Sequence, residues 1–247
     1  MTRRETVDRL TERLVPLYGE REARAIARNA VAELAGLPLS ALLTDPGAEL
    51  AVEGLEEVAK RLTAGKPLQY VVGHTEFCGR RFAVREGVLI PRPETEELIR
   101  WIIKNPVPDN PAVLDVGTGS GCIAVTLRKH LKQASIIATD ISAEALDTAR
   151  RNAKRNNATI TFIQTDILNP EKAEMDIPFI LDVIVSNPPY IKEEEKIDME
   201  TNVLDYEPHI ALFVPDNDPL LYYWHIAHFG KKKLRLDGRR NARGGRL

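Results

Sequence analysis

Asn187-Pro188-Pro189-Tyr190 is the stretch of this sequence whose residue types and order point most directly to chemistry. It follows an apolar run, Phe179-Ile180-Leu181-Asp182-Val183-Ile184-Val185, that reads as a buried strand. Two successive prolines lack the N–H that a ladder needs, so the strand is expected to stop at Ser186. Asn187 is then left at its carboxyl end, where open α/β sheets bind their ligands. The Asn187 side-chain carbonyl and the Pro188 main-chain carbonyl are two acceptors, which suit the two N–H bonds of a planar –NH2 group. Accepting both bonds returns electron density to a nitrogen whose lone pair is otherwise delocalised. It also holds that lone pair for in-line attack. Tyr190 is expected to lie against the flat group and favour its developing positive charge. Read as structure alone, the same residues are a proline turn closing a strand.

A second stretch, Asp115-Val116-Gly117-Thr118-Gly119-Ser120-Gly121, sits where a strand over 112–116 turns into a helix over 120–131. Glycines permit a tight turn and close approach of a ligand to the backbone. Such loops serve NAD, FAD and S-adenosyl-L-methionine, and some are only structural. The spacing here is G-x-G-x-G rather than the G-x-G-x-x-G of dinucleotide folds. An acid, Asp115, also precedes the first glycine, whereas a pyrophosphate prefers N–H donors. S-adenosyl-L-methionine has no phosphate and carries an α-ammonium that needs a carboxylate or backbone carbonyls. Asp140 lies 19 residues after Gly121, at the end of the next strand, in position to accept from both ribose hydroxyls. Its structural reading is an acid at a helix start beside Ser142. Asp166-Ile167, ending a third strand, would hold the adenine amino group and cover its face. A methyl donor on these strands faces Asn187, so the chemistry is methyl transfer to a planar nitrogen. It needs no strong base beforehand, because the product sheds its proton afterwards.

The elements that must position these residues follow from periodicity. Residues 1–64 read as helices: Val7, Leu10, Leu14 and Leu17 share a face, with Pro16 and Gly19 at its end. A second helix spans 20–34, and Leu50, Leu55, Val58 and Leu62 mark another. This small bundle is either a structural appendix or a partner-binding module. Tyr70-Val71-Val72-Gly73 and Arg81-Phe82-Ala83-Val84 read as a β-hairpin through Gly79. Val88 to Pro93 is extended, and an acidic helix start follows at Glu94. Strands over 112–116, 135–139 and 159–164 alternate with helices, the second of them over 142–157 with Ser142 as N-cap. That alternation predicts a parallel sheet with right-handed crossovers.

Charge narrows the partners. Residues 231–247 carry eight Lys/Arg and one acid, so the net −2 of the chain leaves −9 on residues 1–230. An acidic body disfavours a nucleic-acid cradle. No apolar stretch reaches the length of a membrane span, and the N-terminus lacks a signal-peptide apolar region, so a cytoplasmic location is expected. Cys78 and Cys122 fit no metal-ligand spacing. His225 and His228 lack an acid to complete a ligand set. Residues 191–219 read as a long loop over the substrate, and Tyr222, Tyr223 and Trp224 as core.

With these residues in view, the chain resembles the release factor glutamine methyltransferases over about residues 1–225. The likeness lies in Gln69-Tyr70, Leu89 through Glu96, Asp115 through Gly121, Asp140 and Asn187 through Tyr190. Tyr206-Glu207-Pro208 and Leu212 through Asp216 add to it. The resemblance implies an α/β, Rossmann-like class I S-adenosyl-L-methionine-dependent methyltransferase sheet, an N-terminal helical domain and a β-hairpin linker between them. It divides the chain into a release-factor-binding domain over 1–66, a linker over 67–93 and a methyltransferase domain over 94–247. It implies N5-methylation of the glutamine in the Gly-Gly-Gln motif of class 1 peptide-chain release factors; a monomer is expected. Glutamine binding carries over to Asn187, Pro188, Pro189 and Tyr190, with Asn187, Pro188 and Tyr190 in the catalytic role. Cofactor contacts carry over to Gly117, Thr118, Gly119, Ser120, Gly121, Asp140, Ile167 and Asn187. The departure lies after Gly230, where Leu234 starts like a strand but Arg240-Asn241-Ala242-Arg243-Gly244-Gly245 offers no apolar run. The chain is expected to be truncated or altered there, exposing an edge of the sheet. Two alternatives stay open: an adenine N6 methyltransferase on DNA or RNA, and an inactive cofactor-binding remnant.

Overall fold

The structure is a computed structural model that describes residues 1–235. The chain divides into two compact units. The first comprises Met1–His74 with Glu200–Tyr206, and the second Thr75–Met199 with the chain from Glu207 onward.

The first unit is helical: α1 (Arg3–Ala35), α2 (Leu39–Thr44), α3 (Leu55–Thr63) and α4 (Leu68–Val72). Thr2 and Glu5 form a capping box that satisfies two N–H groups at the start of α1. Gly19 breaks α1 with φ 71° and ψ 167°, a backbone that only glycine adopts without strain, so α1 is two helices joined by a kink. Val7, Leu10, Leu14, Ala23, Ala27, Val58 and Leu62 form its core. Leu17 is 47% exposed, because the helical register ends two residues later.

The expected first hairpin strand at Tyr70-Val71-Val72 is instead α4. Valine favours strands, but burial of Tyr70 and Val71 decides the conformation. The Arg61 guanidinium donates to both the Tyr70 and Val71 carbonyls at 3.1 Å, and Gly73 ends the turn left-handed at φ 78°. The hairpin therefore starts later, as β1 (His74–Phe77) and β2 (Arg80–Ala83), turning through Cys78 and Gly79.

The second unit continues with α5 (Pro93–Lys104), β3 (Ala112–Val116), α6 (Cys122–His130), β4 (Ser135–Asp140), α7 (Ala143–Arg155) and β5 (Thr161–Gln164). Then come α8 (Pro170–Asp176), β6 (Val183–Ser186) and β7 (Ile191–Lys192). After α9 (Thr201–Tyr206), which belongs to the first unit, follow β8 (Phe213–Val214) and α10 (Leu221–Lys233). The expected parallel sheet is present, in the order β5-β4-β3-β6 with every pairing parallel. Alternation along β3 feeds two cores: Val113 packs with α6 residues on one face, and Leu114 and Val116 with Ala173, Ile177 and Phe229 on the other. This is an α/β sheet covered on both faces by helices. Among the described residues no helix is long and apolar enough to cross a membrane.

Three expectations need correction. The fourth strand is shorter than read, since Phe179 and Ile180 are 45% and 44% exposed and pairing begins at Val183. Residues 191–219 are not one open loop: β7 pairs with β8, and 3-10 turns form at Glu193–Asp198 and His209–Ala211. Trp224 and Tyr223 are 67% and 46% exposed rather than core, because they lie on the face of α10 away from Phe229 and Ile226, which pack on the sheet. Where a strand was expected from Leu234, the described residues form a single parallel bridge between Leu181 and Leu234. Leu181 N–H donates to Lys233 O and Arg235 N–H to Leu181 O, both at 2.8 Å, beside the start of β6. Its continuation over 236–247 lies outside the described residues.

One buried side chain ties the hairpin to the sheet. Asn152 on α7 is 0% exposed. It accepts from Ala83 N–H at 2.7 Å and donates to Ala83 O at 2.9 Å and to Ser120 O at 2.8 Å. Its amide thus extends β2 like one further strand partner and holds the glycine loop from below. Replacing Asn152 by Ala strands one donor and two acceptors, so urea denaturation is expected to register a loss of about 2–4 kcal/mol. A loss below about 1 kcal/mol would show that water replaces the amide there.

Candidate active site

In-register pairing sets the site. Val116 of β3 lies opposite Thr139 of β4 on one side and Ser186 of β6 on the other. The next residues along these strands are Gly117, Asp140 and Asn187, which therefore emerge side by side at the carboxyl edge of the sheet. They line one cavity of about 300 Å³, the lower end of small-ligand pockets. Of the residues expected at the site, Gly117, Thr118, Gly119, Ser120, Asp140, Ile167, Asn187, Pro188 and Pro189 all line it. Two do not. Gly121 is the left-handed cap of α6, where a Cβ would meet the Ala149 Cβ at 3.0 Å, so its role is close helix packing. Tyr190 is absent from the lining and 58% exposed, because the chain turns into β7 directly after Pro189.

The glycine loop is held from beneath by Asp115. That carboxylate is fully buried and turned away from the cavity, so it is no acceptor for a ligand ammonium. Its Oδ2 accepts from Thr118 Oγ1 at 2.6 Å and from Ala124 N–H at 3.2 Å, while Oδ1 is buried and makes no hydrogen bond. Thr118 N–H donates to Thr139 O at 2.8 Å, which extends the β3–β4 ladder by one bond into the loop. Gly117 and Gly119 have φ of 68° and 55°, and a Cβ on either would meet nothing within 4 Å. Their backbone is therefore open to a ligand.

Asp140 is the hinge between loop and helix. Oδ2 accepts from Gly119 N–H and Oδ1 from Ser142 N–H, each at 2.9 Å. Each oxygen keeps a lone pair for a further donor. Burial raises its pKa, opposed by the hydrogen bonds from Ser142, Gly119 and Ile141. Ser142 is the N-cap of α7 as expected, accepting from Ala145 N–H at 3.2 Å.

At the other end of the cavity, Asn187 Nδ2 donates to Thr95 Oγ1 at 3.2 Å. Asn187 itself lines the cavity. Thr95 is buried in the first turn of α5 and lines the cavity itself. The extended run before α5 is fixed by Glu207, whose side chain is 2% exposed. Its carboxylate accepts from Ile90 N–H at 3.2 Å and from the Arg92 guanidinium at 2.6 Å. A buried carboxylate paired this way is a strong local constraint.

Sequence reading missed Thr95 and Glu207 as site residues, although both lie in segments that carry the family likeness. A signal was present, since the Pro91-Arg92-Pro93 run fixes an extended backbone ahead of a helix. Tyr222, read as core, does pack against the core, and with Ile226 it also forms a wall of the cavity. The Tyr222 phenol is held above its ordinary pKa by burial first, then by Asp166 and Asp140.

The Asp115 environment gives a pH signature. Burial pushes its carboxyl from 3.8 to about 7, against the bonds from Thr118 and Ala124, with a smaller upward push from Asp140. The folded protein then holds a proton that the unfolded chain releases near 3.8. The neutral carboxyl contributes stability below that pH, and the contribution is lost as pH rises through about 7. Asp115→Asn cannot titrate, so its stability relative to the native protein is expected to increase from about pH 5 to pH 8. Urea denaturation of both proteins across that range measures the difference, and a difference independent of pH rejects the buried-proton account.

The chain is similar to known methyltransferases. The family model described as "Methyltransferase small domain" matches residues 95–205. The release factor glutamine methyltransferase of Bacteroides thetaiotaomicron is 50% identical over 185 residues, 75% of this chain and 65% of that protein. That of Flavobacterium psychrophilum is 49% identical over 74% of this chain and 64% of the relative. The chain thus spans just under two thirds of the length of these relatives. The release factor glutamine methyltransferase of Chlorobaculum tepidum is 39% identical over 229 residues, 88% of this chain and 76% of that protein. With the glycine loop, the strand-end Asp140 and Asn187-Pro188 gathered on one sheet edge, these matches make the chain a member of the release factor glutamine methyltransferase family.

Proposed function

We propose that this chain transfers a methyl group from S-adenosyl-L-methionine to the side-chain amide N5 of the glutamine in the Gly-Gly-Gln motif of class 1 peptide-chain release factors. One observation carries the reading: a single cavity is lined by the open glycine loop, Asp140 and Asn187-Pro188. The glycine loop, Asp140 and Ile167 fit the cofactor. Gly117 and Gly119 leave the loop backbone accessible, Asp140 retains acceptor capacity for hydroxyls, and Ile167 offers an apolar surface. Asp166, beside Ile167 in the lining, suits the adenine amino group. When bound, S-adenosyl-L-methionine supplies an electrophilic methyl on a sulfonium.

Asn187 Oδ1 and the Pro188 carbonyl accept the two N–H bonds of the glutamine amide. They lock its plane and orient the nitrogen lone pair along the line of attack. Methyl transfer to that nitrogen would form the N–CH3 bond as the S–CH3 bond breaks to a thioether, and the nitrogen would lose one proton to water. No side chain need remove that proton first. Pro189 closes the wall beside Pro188, and exposed Tyr190 contacts the glutamine-bearing segment outside the cavity. The helical residues 1–66 engage the body of the release factor, while the chain from 94 onward carries the transfer. The names of the relatives supply the substrate, and the acidic body favours a protein over a nucleic acid.

A class 1 release factor incubated with the protein and S-adenosyl-L-methionine is expected to gain one methyl on the glutamine of Gly-Gly-Gln, read by mass spectrometry. Asn187→Ala is expected to lower kcat about 10²–10³-fold, as for loss of one group that stabilises a transition state. Labelled methyl reaching adenine in DNA or RNA but no release factor would replace this reading with a nucleic-acid one.

A further inference from the structure

We propose that Thr95 is a positioning residue for this reaction: it pins the Asn187 amide by its nitrogen so that Oδ1 remains directed at the substrate. The inference rests on the methyl-transfer reading of the cavity. An asparagine amide has two ends of nearly equal size and opposite hydrogen-bonding character. Only the oxygen end accepts from a substrate –NH2. The NH2 end would set donor against donor. Rotation about the last side-chain bond exchanges the two ends, and the barrier to it is soft. Something outside the asparagine must therefore hold the plane.

Thr95 Oγ1, 3.2 Å from Asn187 Nδ2, is the partner that does so. A hydroxyl can donate or accept, so Thr95 does not choose the end by itself. It removes free rotation, and in this structure the end it holds is the nitrogen. The hydroxyl is rigidly mounted. Thr95 is 7% exposed and β-branched, which restricts its side-chain rotation. Its N–H donates to Arg92 O at 3.0 Å in the first turn of α5. Arg92 and Ile90 are in turn anchored on the buried Glu207 carboxylate. A chain of contacts thus runs from Glu207 through Arg92 to Thr95 and ends on Asn187. Small displacements of a positioned group cost large factors in rate.

The test compares native protein, Thr95→Val and Thr95→Ser, using a Gly-Gly-Gln peptide or release factor and S-adenosyl-L-methionine. Val preserves shape and removes the hydroxyl. Its kcat is expected to fall about 10–100-fold. The dissociation constant for the cofactor, by calorimetry, is expected to stay within about twofold, since the glycine loop and Asp140 are untouched. Ser, which restores the hydroxyl, is expected to recover kcat to within about threefold of native. A Val variant that turns over like the native protein, or a Ser variant as slow as Val, overturns the proposal. The second outcome would assign the effect to packing. A further readout is independent of turnover: the Asn187 side-chain NH2 resonances in a ¹⁵N-labelled sample. They are expected to be inequivalent and shifted by the hydrogen bond in native and Ser forms, and to lose that shift in Val. If the native protein methylates no glutamine, the methyl-transfer reading fails, and the NH2 resonances still decide whether Thr95 holds the amide.

Discussion

The site depends on parallel hydrogen bonding in one register. β3 is paired on both sides, so the ends of β4, β3 and β6 are locked level with one another. Neighbouring strands lie about 4.8 Å apart, which puts Asp140, Gly117 and Asn187 within one small ligand's reach. A one-residue slip of β6 would turn its side chains to the opposite face and move Asn187 off this line. Slippage is opposed at both ends of the pairing. Asp182 N–H donates to Ala112 O at 2.8 Å, and its carboxylate accepts from Ala112 N–H at 2.9 Å. At the other end Ser186 Oγ donates to Val116 O at 2.8 Å.

The loop above this edge is supported by buried polar groups rather than by packing alone. Asp115, Thr118 and Thr139 bond beneath it, and Asn152 holds Ser120 from α7. Such a network is costly when incomplete and strongly specifying when satisfied. Here one oxygen of Asp115 is unsatisfied, and the carboxyl compensates by favouring its neutral form. The loop backbone is thereby held in a conformation that leaves Gly117 and Gly119 open instead of collapsing into the cavity. The fold carries an electrostatic cost at Asp115 to keep a ligand surface in shape.

The opposite wall follows the same logic with an ion pair. Glu207 and Arg92 pair with each other beside the cavity, so the guanidinium is not left as a lone charge there. Asp140 and Asp166 remain as the carboxylates of the lining, which makes the cavity suited to a cationic ligand. The rest of the lining is mostly apolar. The contacts that position Asn187 and those that set the field are thus separate, and each is anchored on a different part of the sheet edge.

Most of the fold was legible in the sequence, because alternation of apolar runs with amphipathic helices is a local signal. The positions of the glycine loop, Asp140, Ile167 and the Asn187-Pro188-Pro189 corner followed from strand ends. Local chemistry marks strand ends: glycines at a tight turn, an acid before an N-cap, and two prolines without donors. What the sequence misplaced was decided by contacts distant along the chain. Tyr70-Val71-Val72 is helical because Arg61 and a buried core override valine's preference for strands. Asp115 was read as an acid that argues against a pyrophosphate ligand, and strand alternation turns its side chain into the core beneath the loop. Tyr190 was read as part of the cavity, yet the turn into β7 carries it outward. Thr95 lies 92 residues from Asn187 and Glu207 lies 115 residues from Arg92, so no periodicity or spacing joins them. Strand order and local turns therefore determined which residues could reach the site. Only the tertiary packing decided which end of the Asn187 amide is held, because that depends on a hydroxyl brought in by another element.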